Sequence, residues 1–155
     1  MIQVTYLMTI HKVFGMARIK VSYNVGMVFG VFDGLHQGHK HFLQAAAKRC
    51  KQLIVVVTVP AVVSVLKKHK PRYGYAKRVA AIRLWQPKYT LVPSDKTIGK
   101  WQILKKYTPD VVFLGYDQRM MAKELRWIHF PFVLLDAYQP KKYKSSILHN
   151  TAKKS

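Results

Sequence analysis

An α/β fold is predicted for this sequence, with a parallel five-stranded sheet covered by helices on both faces. Three observations carry the prediction. Its strand-like runs are apolar throughout instead of alternating. They take turns with amphipathic, helix-like segments, and Gly or Pro punctuates most junctions.

In chain order, Val25 to Phe32 reads as a buried strand and Gly38 to Lys51 as a helix with Phe42, Leu43, Ala46 and Ala47 turned inward. Leu53 to Val59 is a second buried strand, stopped by Pro60. Ala61 to Leu66 reads as a short helix, Lys67 to Gly74 as a basic loop, and Tyr75 to Leu84 as a helix. Tyr89 to Val92 is a shorter strand, Gly99 to Tyr107 a helix, Asp110 to Leu114 the fourth strand and Gln118 to Trp127 a helix. Phe132 to Leu135 closes the sheet, and Ser145 to about Thr151 forms a last helix with a Ser cap. Right-handed crossovers between such strands give a Rossmann-like order, 3-2-1-4-5. Residues 1–23 form an N-terminal extension whose role the sequence leaves open, 24–152 the domain, and 153–155 a basic tail.

Gly30-Val31-Phe32-Asp33-Gly34-Leu35-His36-Gln37-Gly38-His39 joins the first strand to the first helix. His36 and His39 lie three apart, so both rings can face one spot before the helix N-terminus. That spot attracts anions through unpaired N–H groups and the helix dipole. Each imidazole can donate to a phosphate oxygen, and the glycines admit close backbone approach. A zinc site is not expected, because Cys50 is the sole cysteine and carboxylate or thiolate ligands at metal spacing are absent near the two His. The reading is a turn that handles a triphosphate.

Two other segments converge there by topology. Lys67-Lys68-His69-Lys70-Pro71-Arg72 follows the second strand and can be either a phosphate clamp or a solvated face. Leu114-Gly115-Tyr116-Asp117-Gln118 ends the fourth strand, where the winding reverses and ligands bind in open α/β sheets. Asp117 and Gln118 can read a nucleobase or acceptor, or Asp117 can simply cap the next helix.

At 155 residues and 50% hydrophobic, the chain suits one core, burying roughly 70% of its unfolded surface. One cysteine fits a reducing cytosol, and no apolar run reaches the roughly 20 residues of a membrane span. A soluble cytoplasmic protein is expected. Lys plus Arg number 27 against six acids, net +21, so nonspecific polyanion binding is expected at low salt. The excess reads first as a solvated Lys-rich surface, since no nucleic-acid module is evident.

Gly30 to His39 resembles the G-x-F-D-x-x-H-x-G-H signature of the cytidylyltransferase-like nucleotidyltransferases, which include glycerol-phosphate cytidylyltransferases, phosphopantetheine adenylyltransferases and FAD synthetases. The resemblance spans about residues 24 to 150, and Gly-Tyr-Asp-Gln is similar to the archaeal-type FAD synthetase branch. It implies attack by an acceptor phosphate on the α-phosphorus of an NTP, with pyrophosphate leaving. His36, His39, Lys70 and Arg78 are then catalytic, the last two as a phosphate clamp. Val31, Phe32, Asp33, Gly38, Gly115, Asp117 and Gln118 surround the nucleotide. Lys144, Ser145 and Ser146 stand where the family has an Arg-Thr-x-x-Ile-Ser segment at the β and γ phosphates, with Lys144 a point charge in place of the bidentate Arg. Mg²⁺ is implied with the nucleotide, and a homodimer is common in the family. FAD synthesis from FMN and ATP leads, followed by CTP-dependent transfer to a phosphoalcohol such as glycerol 3-phosphate. A non-catalytic nucleotide- or nucleic-acid-binding protein is the reading from another class, and a fragment of a class I tRNA synthetase ranks last.

Overall fold

Valine-rich runs bounded by Gly and Pro pair into one parallel sheet because both their faces are apolar and both must be covered. The computed structural model describes residues 22–66 and 70–136. Five strands, β1 (Tyr23–Gly30), β2 (Cys50–Val57), β3 (Thr90–Pro93), β4 (Val111–Leu114) and β5 (Phe132–Leu134), lie in the order β3-β2-β1-β4-β5, all parallel. The expected order 3-2-1-4-5 is the observed one. The helices are α1 (Gln37–Ala47), α2 (Pro60–Leu66), α3 (Tyr75–Trp85), α4 (Gln102–Tyr107) and α5 (Arg119–Trp127).

Register sorts the core into two layers. Met27 stands beside Ile54 and Val112, and these pack with Ile103 and Leu104 of α4 and Ala122 and Leu125 of α5. The next position, Val28 beside Val55 and Phe113, faces the other way onto Leu43 and Ala46 of α1 and Ile82 of α3. Each fully buried aliphatic side chain contributes about 1.5–3 kcal/mol, so the alternation holds both helix layers on the sheet. Crossovers run to β3 on one side of β1 and to β5 on the other, so the winding reverses between β1 and β4. That reversal opens a crevice at their carboxyl ends.

The first helix was expected to reach Lys51 but ends at Ala47, because β2 already begins at Cys50 and runs to Val57 instead of from Leu53 to Val59. Three other boundaries differ for local reasons. β1 ends at Gly30, not Phe32, because Phe32 adopts φ 53° and leaves the ladder. α1 starts at Gln37, since His36 caps it. α4 starts at Gln102 instead of Gly99, because Gly99 (φ 76°) and Trp101 (φ 52°) are left-handed. No helix among the described residues is long and apolar enough to cross a membrane. The N-terminal extension up to residue 21, Lys67 and Lys68 of the basic loop, Lys144, Ser145, Ser146, the last helix and the basic tail lie outside the described residues.

Candidate active site

Gly30 closes β1, and the absence of a side chain there lets the following turn fold back. A Cβ on Gly30 would stand 2.6 Å from Phe32 Cζ, so only glycine admits the ring. Phe32, expected among the nucleotide's contacts, has its ring buried in the core layer beneath α1. Its ring meets His39 edge to face at 5.5 Å and backs the imidazole. His36 and His39 stack at 3.7 Å between centroids, 21° from parallel.

The stack heads α1. His36 is the N-cap, with Nδ1 accepting the His39 backbone N–H at 3.4 Å. With Nδ1 an acceptor, the proton of neutral His36 sits on Nε2, which becomes a donor. The His39 Nδ1 atom is buried. No carboxylate occupies the first turn of α1, where leading N–H groups lack helical acceptors and the dipole is positive. Gly38 lies in that turn.

Beneath this turn lies a buried polar joint. Asp33 accepts the Arg72 N–H at 2.8 Å and the Tyr73 N–H at 3.0 Å, tying the basic loop to the His turn. Arg78, one turn into α3, donates from Nη1 to the Val31 carbonyl (2.7 Å), from Nη2 to the Thr58 carbonyl (3.0 Å) and from Nε to the Tyr73 carbonyl (3.2 Å). Burial pulls the guanidinium pKa down, while the Asp33 charge opposes the fall. Arg78, expected to clamp phosphate, is 2% exposed and donates to three carbonyls, an arrangement that holds the His turn, β2 and the basic loop together. Val31, expected at the nucleotide, gives its carbonyl to Arg78. Lys70 is exposed on the loop that Asp33 holds.

Opposite, the β4–α5 turn is strapped to β1. Gln118 Oε1 accepts the Gly115 N–H at 2.8 Å, and Gln118 Nε2 donates to the Phe29 carbonyl at 2.9 Å. Expected to read a base, its amide is committed at both ends to backbone, which fixes the crevice wall. Asp117 and Tyr116 project exposed beside it, and the cap position of α5 belongs to Gln118, so Asp117 is not spent on capping. Burial and the neighbouring Asp117 charge raise the Tyr116 hydroxyl's pKa. Gly115 sits where a Cβ would approach Asp117 Oδ1 (3.3 Å) and Phe42 of α1 (3.9 Å), so the β4–α5 turn lies against α1. Sequence reasoning missed Thr58, whose hydroxyl donates to the Gly30 carbonyl at 3.1 Å and whose own carbonyl receives Arg78. A lone Thr before Val-Pro carries no signal of either bond.

The pattern of the cytidylyltransferase-like family matches residues 27–148, which include both turns. This chain belongs to the cytidylyltransferase-like family. It is a nucleotidyltransferase. It is 35% identical over 133 residues to a protein of Aciduliprofundum boonei named FAD synthase, covering 82% of this chain and 85% of the relative. A protein of the same name from Methanopyrus kandleri is 35% identical over 131 residues, covering 80% and 84%. Among solved structures, a lipopolysaccharide core biosynthesis protein from Thermoplasma volcanium superposes with TM-score 0.63 at 23% identity, over 79% of this chain and all of that one. A bifunctional NMN adenylyltransferase/ADP ribose pyrophosphatase from Francisella tularensis gives TM-score 0.57 at 12% identity, over 83% and 41%. These two likenesses concern the fold alone.

Proposed function

We propose that the chain transfers AMP from ATP to FMN, giving FAD and pyrophosphate. An FMN phosphate oxygen attacks the α-phosphorus in line; the bond from that phosphorus to the α–β bridging oxygen breaks, and its electron pair leaves with pyrophosphate. The observation that carries the reading is the stacked His pair at the head of α1, at the end of the sheet where Gln118 straps the β4–α5 turn to β1. Relatives named FAD synthase, aligned over four-fifths of this chain, support FMN as acceptor.

Nε2 of His36 donates to an α-phosphoryl oxygen, and His39 holds the bridging oxygen as charge grows there. Donors fixed before the reaction stabilise that charge without reorganising. Lys70 and Lys144 neutralise the β and γ phosphates, and Ser145 and Ser146 hydrogen-bond to them; Gly38 lets the backbone come close, and Asp117 reads the base or the flavin phosphate's surroundings. A divalent cation, Mg²⁺ by choice, would arrive with the nucleotide and would supply charge neutralisation to its phosphates. Among the described residues no group of three or more His, Cys, Asp or Glu is placed to cage a metal, and Asp33 holds two backbone N–H groups. The residues therefore fit a cation held mainly by phosphates and water, the usual habit of Mg²⁺. The single cysteine suits a cytoplasmic setting, and sedimentation tests the homodimer the resemblance implies.

Pyrophosphate release measured with ATP plus FMN, and with CTP plus glycerol 3-phosphate, tests the assignment. Release and FAD with the first pair are expected. CDP-glycerol without FAD rejects the flavin acceptor, and nucleotide binding without any pyrophosphate rejects catalysis.

A further inference from the structure

Between Asp33 and Asp95 the chain contains twelve Lys and Arg and no acid. This stretch supplies α1 and α3, which share one face of the sheet. Lys48, Arg49, Lys77, Arg83 and Lys88 are all exposed on it. Two cations there rest on aromatic rings: Lys40 Nζ lies 5.6 Å from the Trp85 ring centre, and Lys77 Nζ 4.4 Å from that of Tyr73. The opposite layer carries cations too, but Asp110, Asp117 and Glu124 interrupt them. Ordinary exposed faces mix the two signs.

Substrate capture explains only part of this charge. Lys77 lies in the first turn of α3, at the crevice end. Lys48 and Arg49 precede β2 and Lys88 precedes β3, so they stand at the opposite end of the sheet. β2 has 8 residues, about 26 Å of strand, whereas exposed charges are screened within about 8 Å at physiological salt. Cations at the far end therefore do little for a triphosphate in the crevice. What the face offers is exposed cations spread from one end to the other, Lys77 in the first turn and Arg83 in the last turn of α3, about 16 Å of helix, with Lys48 and Arg49 just past α1 and Lys88 just past α3. A chain of phosphates matches that spread. Lipid does not, since Leu84 is the one large apolar side chain fully exposed on α3.

We infer that the α1–α3 face binds the phosphodiester backbone of nucleic acid, without base specificity, as a second activity independent of nucleotidyl transfer. Fluorescence anisotropy with a labelled 20-base-pair duplex of random sequence, titrated between 50 and 200 mM KCl, tests it. Each cation that neutralises a phosphate adds about 0.9 to the slope of log affinity against log salt. Lys48→Ala/Arg49→Ala/Lys88→Ala is expected to flatten that slope by about 2 to 3, to weaken binding at least tenfold at the lower salt, and to leave pyrophosphate release unchanged. Lys105→Ala/Lys106→Ala, on α4 of the other layer, is expected to keep affinity within twofold. The inference is overturned if the duplex does not bind saturably at 50 mM, if the triple variant binds like the parent, if the α4 variant loses as much as the triple, or if vesicles of anionic lipid bind more tightly than the duplex.

Discussion

The two turns that meet at the crevice are built on opposite plans. At the β1–α1 turn, Phe32, Asp33 and Arg78 are all buried, and the polar atoms among them are spent on backbone. At the β4–α5 turn only Gln118 is spent in this way, and Tyr116 and Asp117 stand out in solvent. Charge that develops at a phosphorus must meet donors already fixed, because reorganisation during the reaction costs rate. A turn that recognises one partner among several needs free side chains on a fixed backbone. The first turn is therefore read as the chemical wall and the second as the selective one.

Substitutions separate the two plans by how their damage divides between stability and kinetics. The largest stability loss is expected from Arg78→Met, which strands buried carbonyls and the Asp33 charge; about 3–5 kcal/mol should appear in urea unfolding. Asp33→Asn should cost about 1.5–3 kcal/mol in the same measurement, since bonds to a charged group are lost. It should also raise KM for ATP by releasing the loop that carries Lys70. Gly30→Ala drives a methyl into the Phe32 ring, and overpacking of that kind costs about 1–3 kcal/mol with a fall in kcat as His39 loses its backing. Asp117→Ala should move the unfolding midpoint by less than about 0.5 kcal/mol while changing KM for one substrate. A large stability loss at Asp117, or none at Arg78, breaks the contrast.

The sheet was legible because Val25 to Phe32, Leu53 to Val57 and Val111 to Leu114 are apolar on both faces, which in water leaves few alternatives to a covered parallel sheet. The His turn was legible because its glycines and imidazoles sit at fixed spacing beside a helix start. The role of Arg78 was not. The resemblance marked Arg78 as a phosphate clamp, and only the carbonyls of Val31 and Thr58, from distant parts of the chain, show that its guanidinium turns inward. Gln118 escaped for the same reason, since its partner at Phe29 is 89 residues away. The end of β1 was misplaced because the left-handed backbone at Phe32 depends on the hydrogen that stands for a side chain at Gly30.

The central claim is that the stacked imidazoles receive the phosphates undergoing transfer, and the rate of pyrophosphate release from ATP and FMN by His36→Ala tests it most directly. A fall of about 10²–10³-fold is expected, the cost of removing one fixed donor, while the unfolding midpoint shifts by no more than the roughly 1 kcal/mol of a lost helix cap. Release at the parent rate by a folded His36→Ala protein contradicts the account.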